Sequence, residues 1–244
     1  MDKRLLSSGL ASMEIKCSKE IENRFERYIE LLLEWNGKMN LTAITDEKEI
    51  VIKHFLDSAT CLKIEGVSGA KRMIDVGTGA GFPGLPLRIL CGNGEWVLAD
   101  SLGKRVNFLR EVIDKLDLSG ISAIHSRAEE LGRDNVLRES FDLAVSRAVA
   151  NLVVLSEYCL PLVSVGGLFL SMKGPKADKE IEDAEYAIKL LGGIVKDRIL
   201  IKNPYMESQH EIIVIEKVSR TPEKYPRKPG KPSKKPIFKE IKDE

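Results

Sequence analysis

The residues from Met73 to Gly84, MIDVGTGAGFPG, carry a short apolar run into a turn where glycine recurs at Gly77, Gly79 and Gly81 after Asp75. Glycine adopts positive φ without a Cβ penalty, so such a turn lets backbone approach a ligand closely at the carboxyl end of a strand. Gly79 to Gly84 also satisfies the spacing GxGxxG, so the pattern alone leaves several nucleotide cofactors open. Asp100 follows Gly79 by 21 positions and closes the next apolar run, where a carboxylate can accept from two ribose hydroxyls. A third run ends in His125-Ser126-Arg127-Ala128-Glu129, where the Ala128 N–H and the Glu129 side chain suit an adenine edge. Successive strand ends therefore offer backbone, ribose and base contacts, the parts of a nucleoside pocket.

The elements that must position these groups are legible as periodicities. Residues 1–62 read as helical. Ile21, Phe25, Tyr28, Ile29, Leu32 and Trp35 form one helical stripe between Glu20 and Asn36, and Asp46 with Glu49 opens a second helix with Ile50, Val51, His54, Phe55, Ser58, Ala59 and Leu62 on one face. From Lys71 the pattern changes to short apolar runs alternating with helices, which predicts βα units and a mostly parallel sheet. The strands are expected at 72–76, 96–99, 121–125, 143–146 and 168–172, and helices near 85–91, 104–116, 152–162 and 178–191. Gly192-Gly193 stops the last helix, and two β-rich runs, 194–201 and 211–218, should close the sheet as an antiparallel hairpin.

Composition narrows the class. The chain has 244 residues, 43% hydrophobic and 31% charged, which is enough apolar material for one sizeable core and excludes wholesale disorder. No apolar run has the length of a membrane span, and the first residues lack a signal-peptide core, so the protein is expected to be cytoplasmic with no membrane partner. Cys17, Cys61, Cys91 and Cys159 form no CxxC pair, so neither a disulfide framework nor a metal site is expected. The net charge of +1 hides an asymmetry: Ser219 to Glu244 holds nine basic and four acidic residues and half of the ten prolines. A basic arm on an acidic-to-neutral body points to a polyanionic partner.

A dinucleotide needs a further half-site or catalytic domain, whereas this chain spends its remaining length on one sheet and a terminal hairpin. That arrangement, with the D-x-G-x-G-x-G turn, looks like the S-adenosylmethionine-dependent methyltransferases. The resemblance is closer than class level. The runs LLLEWNGKMNLTAIT, VIKHFLDS, MIDVGTGAGFPGLPL, DSLGKRVNFL, SRAEEL, FDLAVSRAVANL, MKG and YPRKPGKPSKKP occur in that order between about Leu31 and Pro236. In this combination they resemble the bacterial small-subunit ribosomal RNA guanine-N7 methyltransferase family RsmG, formerly called glucose-inhibited division protein B.

The resemblance implies an α/β, Rossmann-like class I methyltransferase with a mostly parallel seven-stranded sheet. A helical extension over 1–65, packed on the main domain because its helices cannot bury their apolar faces alone, is expected before the methyltransferase domain over 66–218, with a basic Pro-rich arm over 219–244. It implies S-adenosyl-L-methionine contacts at Gly77, Phe82, Ala128, Glu129 and Arg147, and places Asp100 and Ser101 in the ribose region. Gly79 and Gly81 belong to the same cofactor-binding turn. The implied substrate is a guanine in the 530 loop of 16S rRNA. The sequence leaves open whether it is met as naked RNA, small ribosomal subunit or assembly intermediate, and the protein is expected to be a monomer.

The residues agree with an N7 target. The fourth strand ends Ser146-Arg147-Ala148-Val149-Ala150, with neither the cysteine that cytosine C5 methylation requires nor the Asn/Asp-Pro-Pro-aromatic turn common in amine methylation. Asn203-Pro204-Tyr205 resembles that turn but follows the sixth strand, and reads as part of the terminal hairpin loop. Guanine N7 has an in-plane lone pair and no proton, so no general base is required and positioning supplies the rate. Arg147 is then a positioning donor, to the methionine carboxylate or to guanine O6. His54, on an apolar helix face, reads as a core histidine, and His125 has no evident partner. Lys173 and, in the arm, Arg227, Lys228, Lys231, Lys234 and Lys235 are the cations expected along the RNA backbone, with Lys104, Arg105 and Arg110 as a smaller patch. Removing Ser219 to Glu244 is expected to weaken RNA binding and leave cofactor binding nearly intact. The alternatives are an RNA-binding assembly factor that retains the pocket without turnover, and an NAD-dependent oxidoreductase.

Overall fold

Local signals set the helix starts of the first half. In the computed structural model, which describes residues 1–174, 177–201 and 210–239, Asp2 caps a helix over Lys3–Ala11 by accepting from Leu5 N at 3.0 Å. Ser18 does the same for Lys19–Asn36 through Ile21 N at 3.2 Å, and Asp46 for the next helical segment through Glu49 N at 2.9 Å. Each such cap satisfies an amide that has no partner within its helix. The third segment is less regular than its stripe suggests. It is α-helical over Glu47–Ile50, widens to a π-helix over Val51–Leu56, returns to α over Asp57–Ala59 and tightens to 3₁₀ over Thr60–Lys63. A π turn inside a helix is uncommon and is often found beside a functional site; here it carries His54.

The described residues fall into two compact units, one over 1–125 and the other over 126–174, 177–201 and 210–239. The N-terminal helices have no core of their own and pack on the βα region of the same unit. Leu6, Phe25, Tyr28, Leu32, Phe55 and Leu56 share one buried cluster with Leu85, Leu98, Phe108 and Val112 from the βα region.

In the first unit β1 (Arg72–Val76), β2 (Glu95–Asp100) and β3 (Ile121–His125) are parallel, in the order β3-β2-β1. The crossovers are helices Gly84–Cys91 and Gly103–Lys115. In the second unit β4 (Phe141–Arg147) and β5 (Val163–Lys173) are parallel, whereas β7 (His210–Lys217) lies antiparallel between β5 and β6 (Gly193–Ile201). Helices Leu152–Cys159 and Asp178–Leu190 connect β4 to β5 and β5 to β6. All seven expected strands and their directions are present, with ends that differ by up to five residues. Asn203-Pro204-Tyr205 and the rest of the β6–β7 loop lie outside the described residues.

The chain after β7 is the largest departure from the sequence reading. Composition suggests an extended arm, yet residues 219–239 pack within the second unit and end in a short helix, Lys231–Lys234. Its root is a buried lysine. Lys217 is 0% exposed, and its Nζ donates to Leu160 O, to Thr221 Oγ1 at 2.7 Å and to Glu139 Oε1 at 3.0 Å. Thr221 in turn donates from its amide to Glu139 Oε1 at 2.6 Å and from its hydroxyl to Leu191 O at 2.7 Å.

Burial pulls the Lys217 ammonium down to about 8, against the opposing pull of Glu139. An unfolded chain keeps that proton to about 10.4. Between the two values the unfolded state binds more protons, so the contribution of Lys217 to stability rises with pH across this window; below it both states are protonated and the full cost of burying the charge stands. Urea unfolding at pH 8 and pH 10 tests this. The free-energy difference between wild type and Lys217→Met should shift by about 2 kcal/mol in favour of wild type at the higher pH, and a difference that stays flat would contradict the assignment.

Candidate functional site

The glycine turn is built by two carboxylates of the first unit. Asp75, in β1 and 0% exposed, accepts through Oδ2 from Gly84 N at 2.8 Å and from the Thr78 hydroxyl at 2.7 Å, tying the end of the turn to its start. Asp100, at the end of β2 and 3% exposed, accepts through Oδ2 from Gly79 N at 2.9 Å and through Oδ1 from Leu102 N at 2.9 Å. The Arg105 guanidinium lies 3.5 Å from the same Oδ2. Gly77 N donates to Ala99 O at 2.8 Å, continuing the β1–β2 ladder into the turn.

The turn needs glycine for two different reasons. Gly81 has φ +102°, and a Cβ there would strike Leu85 and the Tyr28 hydroxyl. Gly79 has φ +62° and nothing within 4 Å of where a Cβ would stand. The space over Gly79 is therefore open, the cradle a ligand backbone approach requires. These residues fit the nucleoside cofactor that the sequence implies.

Phe82 is nearly buried and sits in an aromatic stack. The His54 ring lies 4.3 Å from it at 25°, and Tyr28 lies 5.5 Å from it at 27°. The Tyr28 hydroxyl donates to Ala80 O, and His54 Nε2 is 3.0 Å from the Thr42 hydroxyl. His54 is thus packed and hydrogen-bonded, as its place on an apolar face suggests, and its ring contact with Phe82 sets it beside the turn. The exposed Ser101 offers its carbonyl to His125 Nε2 at 3.1 Å, which gives His125 a partner.

The remaining expected residues belong to the second unit. Ala128 and Glu129 open the short helix Ala128–Leu131. Its start is fixed by Glu130, whose side chain accepts from Arg127 N at 3.1 Å. Glu129 is 3% exposed and accepts through Oε1 from Gly230 N at 2.8 Å. Arg147 is the last residue of β4 and half-buried. Ala148 after it has φ +57°, a strained conformation for a residue other than glycine and one that clusters at active sites.

Two residues expected along the RNA backbone, Lys173 and Arg227, are engaged within the protein. Lys173 is 9% exposed at its side chain; Nζ donates to Ala150 O at 2.7 Å and pairs with Glu180 at 2.8 Å. Glu180 also accepts from Leu152 N at 2.9 Å, so the pair clasps both sides of Asn151. Arg227 forks onto Glu157, a carboxylate 1% exposed, with its closest contact at 2.6 Å. Lys228, Lys231, Lys234 and Lys235 are exposed on the packed segment. In the smaller patch Lys104 and Arg110 are exposed, while Arg105 turns to Asp100. Among the described residues no cluster of three or more His, Cys, Asp or Glu side chains could hold a metal, and no helix is long and apolar enough to cross a membrane.

The model of the family rRNA small subunit methyltransferase G matches residues 21–209. The chain is 50% identical over 235 residues to the ribosomal RNA small subunit methyltransferase G of Alkaliphilus oremlandii, covering 96% of this chain and 98% of that one. Among solved structures, the ribosomal protein L11 methylase of Lactobacillus delbrueckii subsp. bulgaricus is similar with a TM-score of 0.52 at 15% identity, over 68% of this chain and 79% of that one. The TYW2 protein of M. jannaschii, solved in complex with AdoMet, is similar with a TM-score of 0.50 at 15% identity, over 66% and 77%. At these identities the structural likeness concerns the fold, a Rossmann-like class I methyltransferase with a mostly parallel seven-stranded sheet.

Proposed function

Because the chain belongs to the rRNA small subunit methyltransferase G family, we propose that it methylates N7 of a guanine in the 530 loop of 16S rRNA, using S-adenosyl-L-methionine. The observation that carries the cofactor half of this reading is the latched turn, in which Asp100 holds the Gly79 amide while the space over Gly79 stays open. Gly77, Gly79, Gly81, Phe82, Asp100 and Ser101 in the first unit, and Ala128, Glu129 and Arg147 in the second, are the residues proposed to hold the cofactor.

When bound, S-adenosylmethionine supplies a sulfonium methyl to a nucleophile in line with the carbon–sulfur bond. Guanine N7 offers an in-plane lone pair and carries no proton, so none of these residues would have to act as a general base. The protein therefore needs to hold groups in place rather than to move a proton. Arg147 is suited to donate to guanine O6 or to the methionine carboxylate, and the clasp of Lys173 and Glu180 on Ala150 and Leu152 steadies the chain that follows it. The exposed lysines of the C-terminal segment are proposed to follow RNA phosphates. The small ribosomal subunit or an assembly intermediate is the proposed partner, with the protein acting as a monomer in the cytoplasm.

Methyl transfer from labelled S-adenosylmethionine to small subunits from a strain lacking this gene tests the reading, with the base mapped by N7-specific chain cleavage. A single cleavage in the 530 loop is the expected result. Cofactor binding without incorporation would overturn the methylation and leave an RNA-binding assembly factor.

A further inference from the structure

The C-terminal segment reaches the residue expected to read the adenine. Gly230 donates its amide to Glu129 Oε1 at 2.8 Å across 101 residues of sequence. Oε2 of this nearly buried carboxylate accepts from no described group. Gly230 has φ +78° and nothing within 4 Å of an added Cβ, so glycine is required there for its backbone conformation and not for room.

Anchors on both sides hold Gly230 in place. Arg227 donates from its amide and Nε to Glu157 Oε1 at 2.8 and 2.9 Å, and from Nη2 to Oε2 at 2.6 Å. Ser233 lies 2.8 Å from the Tyr158 hydroxyl. Upstream, Arg138 Nη1 donates to Tyr225 O at 2.7 Å and Arg133 Nε to Pro226 O at 2.8 Å. A solvated phosphate-binding arm needs none of these. The fork is also a poor design for phosphate capture, because freeing Arg227 would leave Glu157 buried and unpaired.

We infer that residues 225–234 are a positioning element of the cofactor's base subsite: the Gly230 amide orients the Glu129 carboxylate, and the Arg227–Glu157 fork places Gly230. With Oε1 committed to Gly230, Oε2 is left to accept from an exocyclic amine such as adenine N6. This rests on the reading that Glu129 faces the base. It runs against the expectation that removing the segment would leave cofactor binding nearly intact, and leaves the exposed lysines their proposed place along the RNA.

Calorimetric titration of the full chain with S-adenosylhomocysteine and S-inosylhomocysteine tests it, because the inosyl base presents an oxygen where adenine presents the amine. Wild type should prefer the adenosyl ligand. Arg227→Met should weaken that ligand about tenfold, leave the inosyl ligand within twofold, and so narrow the preference; Arg227→Lys should restore part of it. Should Arg227→Met fail to fold, the double variant Arg227→Met with Glu157→Gln removes the unpaired buried charge, and Tyr158→Phe loosens the segment from the Ser233 side. Both should show the same selective loss. Equal weakening of the two ligands, or no change in either, would overturn the inference by making the segment a staple of the fold. If wild type binds neither ligand, the cofactor reading itself fails.

Discussion

Asp100→Ala should lower affinity for S-adenosylhomocysteine by about 100-fold, close to 3 kcal/mol. The carboxylate is 3% exposed and accepts from two backbone amides, Gly79 N and Leu102 N, both at 2.9 Å. Hydrogen bonds to a charged acceptor contribute about 1.5–3 kcal/mol each, and their loss leaves two amides without their partner. Asp100→Asn keeps one acceptor oxygen but turns an N–H toward the other amide, so its loss should be intermediate, about tenfold. The latch also has a signature that needs no ligand. Amide exchange of a peptide over 76–84 should be faster in Asp100→Ala than in wild type. Exchange that stays unchanged while affinity falls would assign Asp100 to the ribose alone.

The second large effect is expected at Lys173, on turnover and not on binding. Its ammonium holds Ala150 O and Glu180, and Glu180 holds Leu152 N, so the clasp acts on the chain that leaves β4 through Arg147 and the strained Ala148. A displacement of that chain by a fraction of an ångström costs rate when the chemistry depends on alignment. Lys173→Met should lower kcat about 30-fold while S-adenosylhomocysteine binds within twofold of wild type, and the salt dependence of KM for the ribosomal substrate should not change. A phosphate contact predicts the reverse: a raised KM whose salt dependence falls by about one charge. Single-turnover rates at two salt concentrations separate the two.

Elements formed by short-range patterns were legible in advance, since alternation, helical stripes and caps are local. β1 runs over Arg72–Val76 as expected, and Asp46 caps its helix as its sequence suggests. The π widening over Val51–Leu56 was not legible, because a helical stripe looks the same whether one turn carries an extra residue or not. At the site, sequence spacing brought out Asp100 but could not say that its oxygens already hold the turn. The packed C-terminal segment was the furthest from view. Its prolines and lysines compose a solvated arm equally well, and the acceptors that hold it, Glu157 and Glu129, lie 70 and 101 residues upstream. One cue was present: a glycine at 230 between lysine-proline steps marks a backbone turn that a featureless arm would not need.

The contact between the Tyr28 hydroxyl and Ala80 O bears on how portable the glycine turn is. The helix over Lys19–Asn36 contributes Tyr28 to the space beside Gly81, and the segment over Glu47–Lys63 contributes His54 to the face of Phe82. The first 65 residues therefore act as the mould in which the turn is cast. Trimming the chain to a minimal βα core, or grafting the motif from Met73 to Gly84 onto another scaffold, would transfer the letters without the walls that give them their shape. In this protein the glycine turn is no interchangeable cassette, and a chimera that keeps it would have to inherit the N-terminal helices as well.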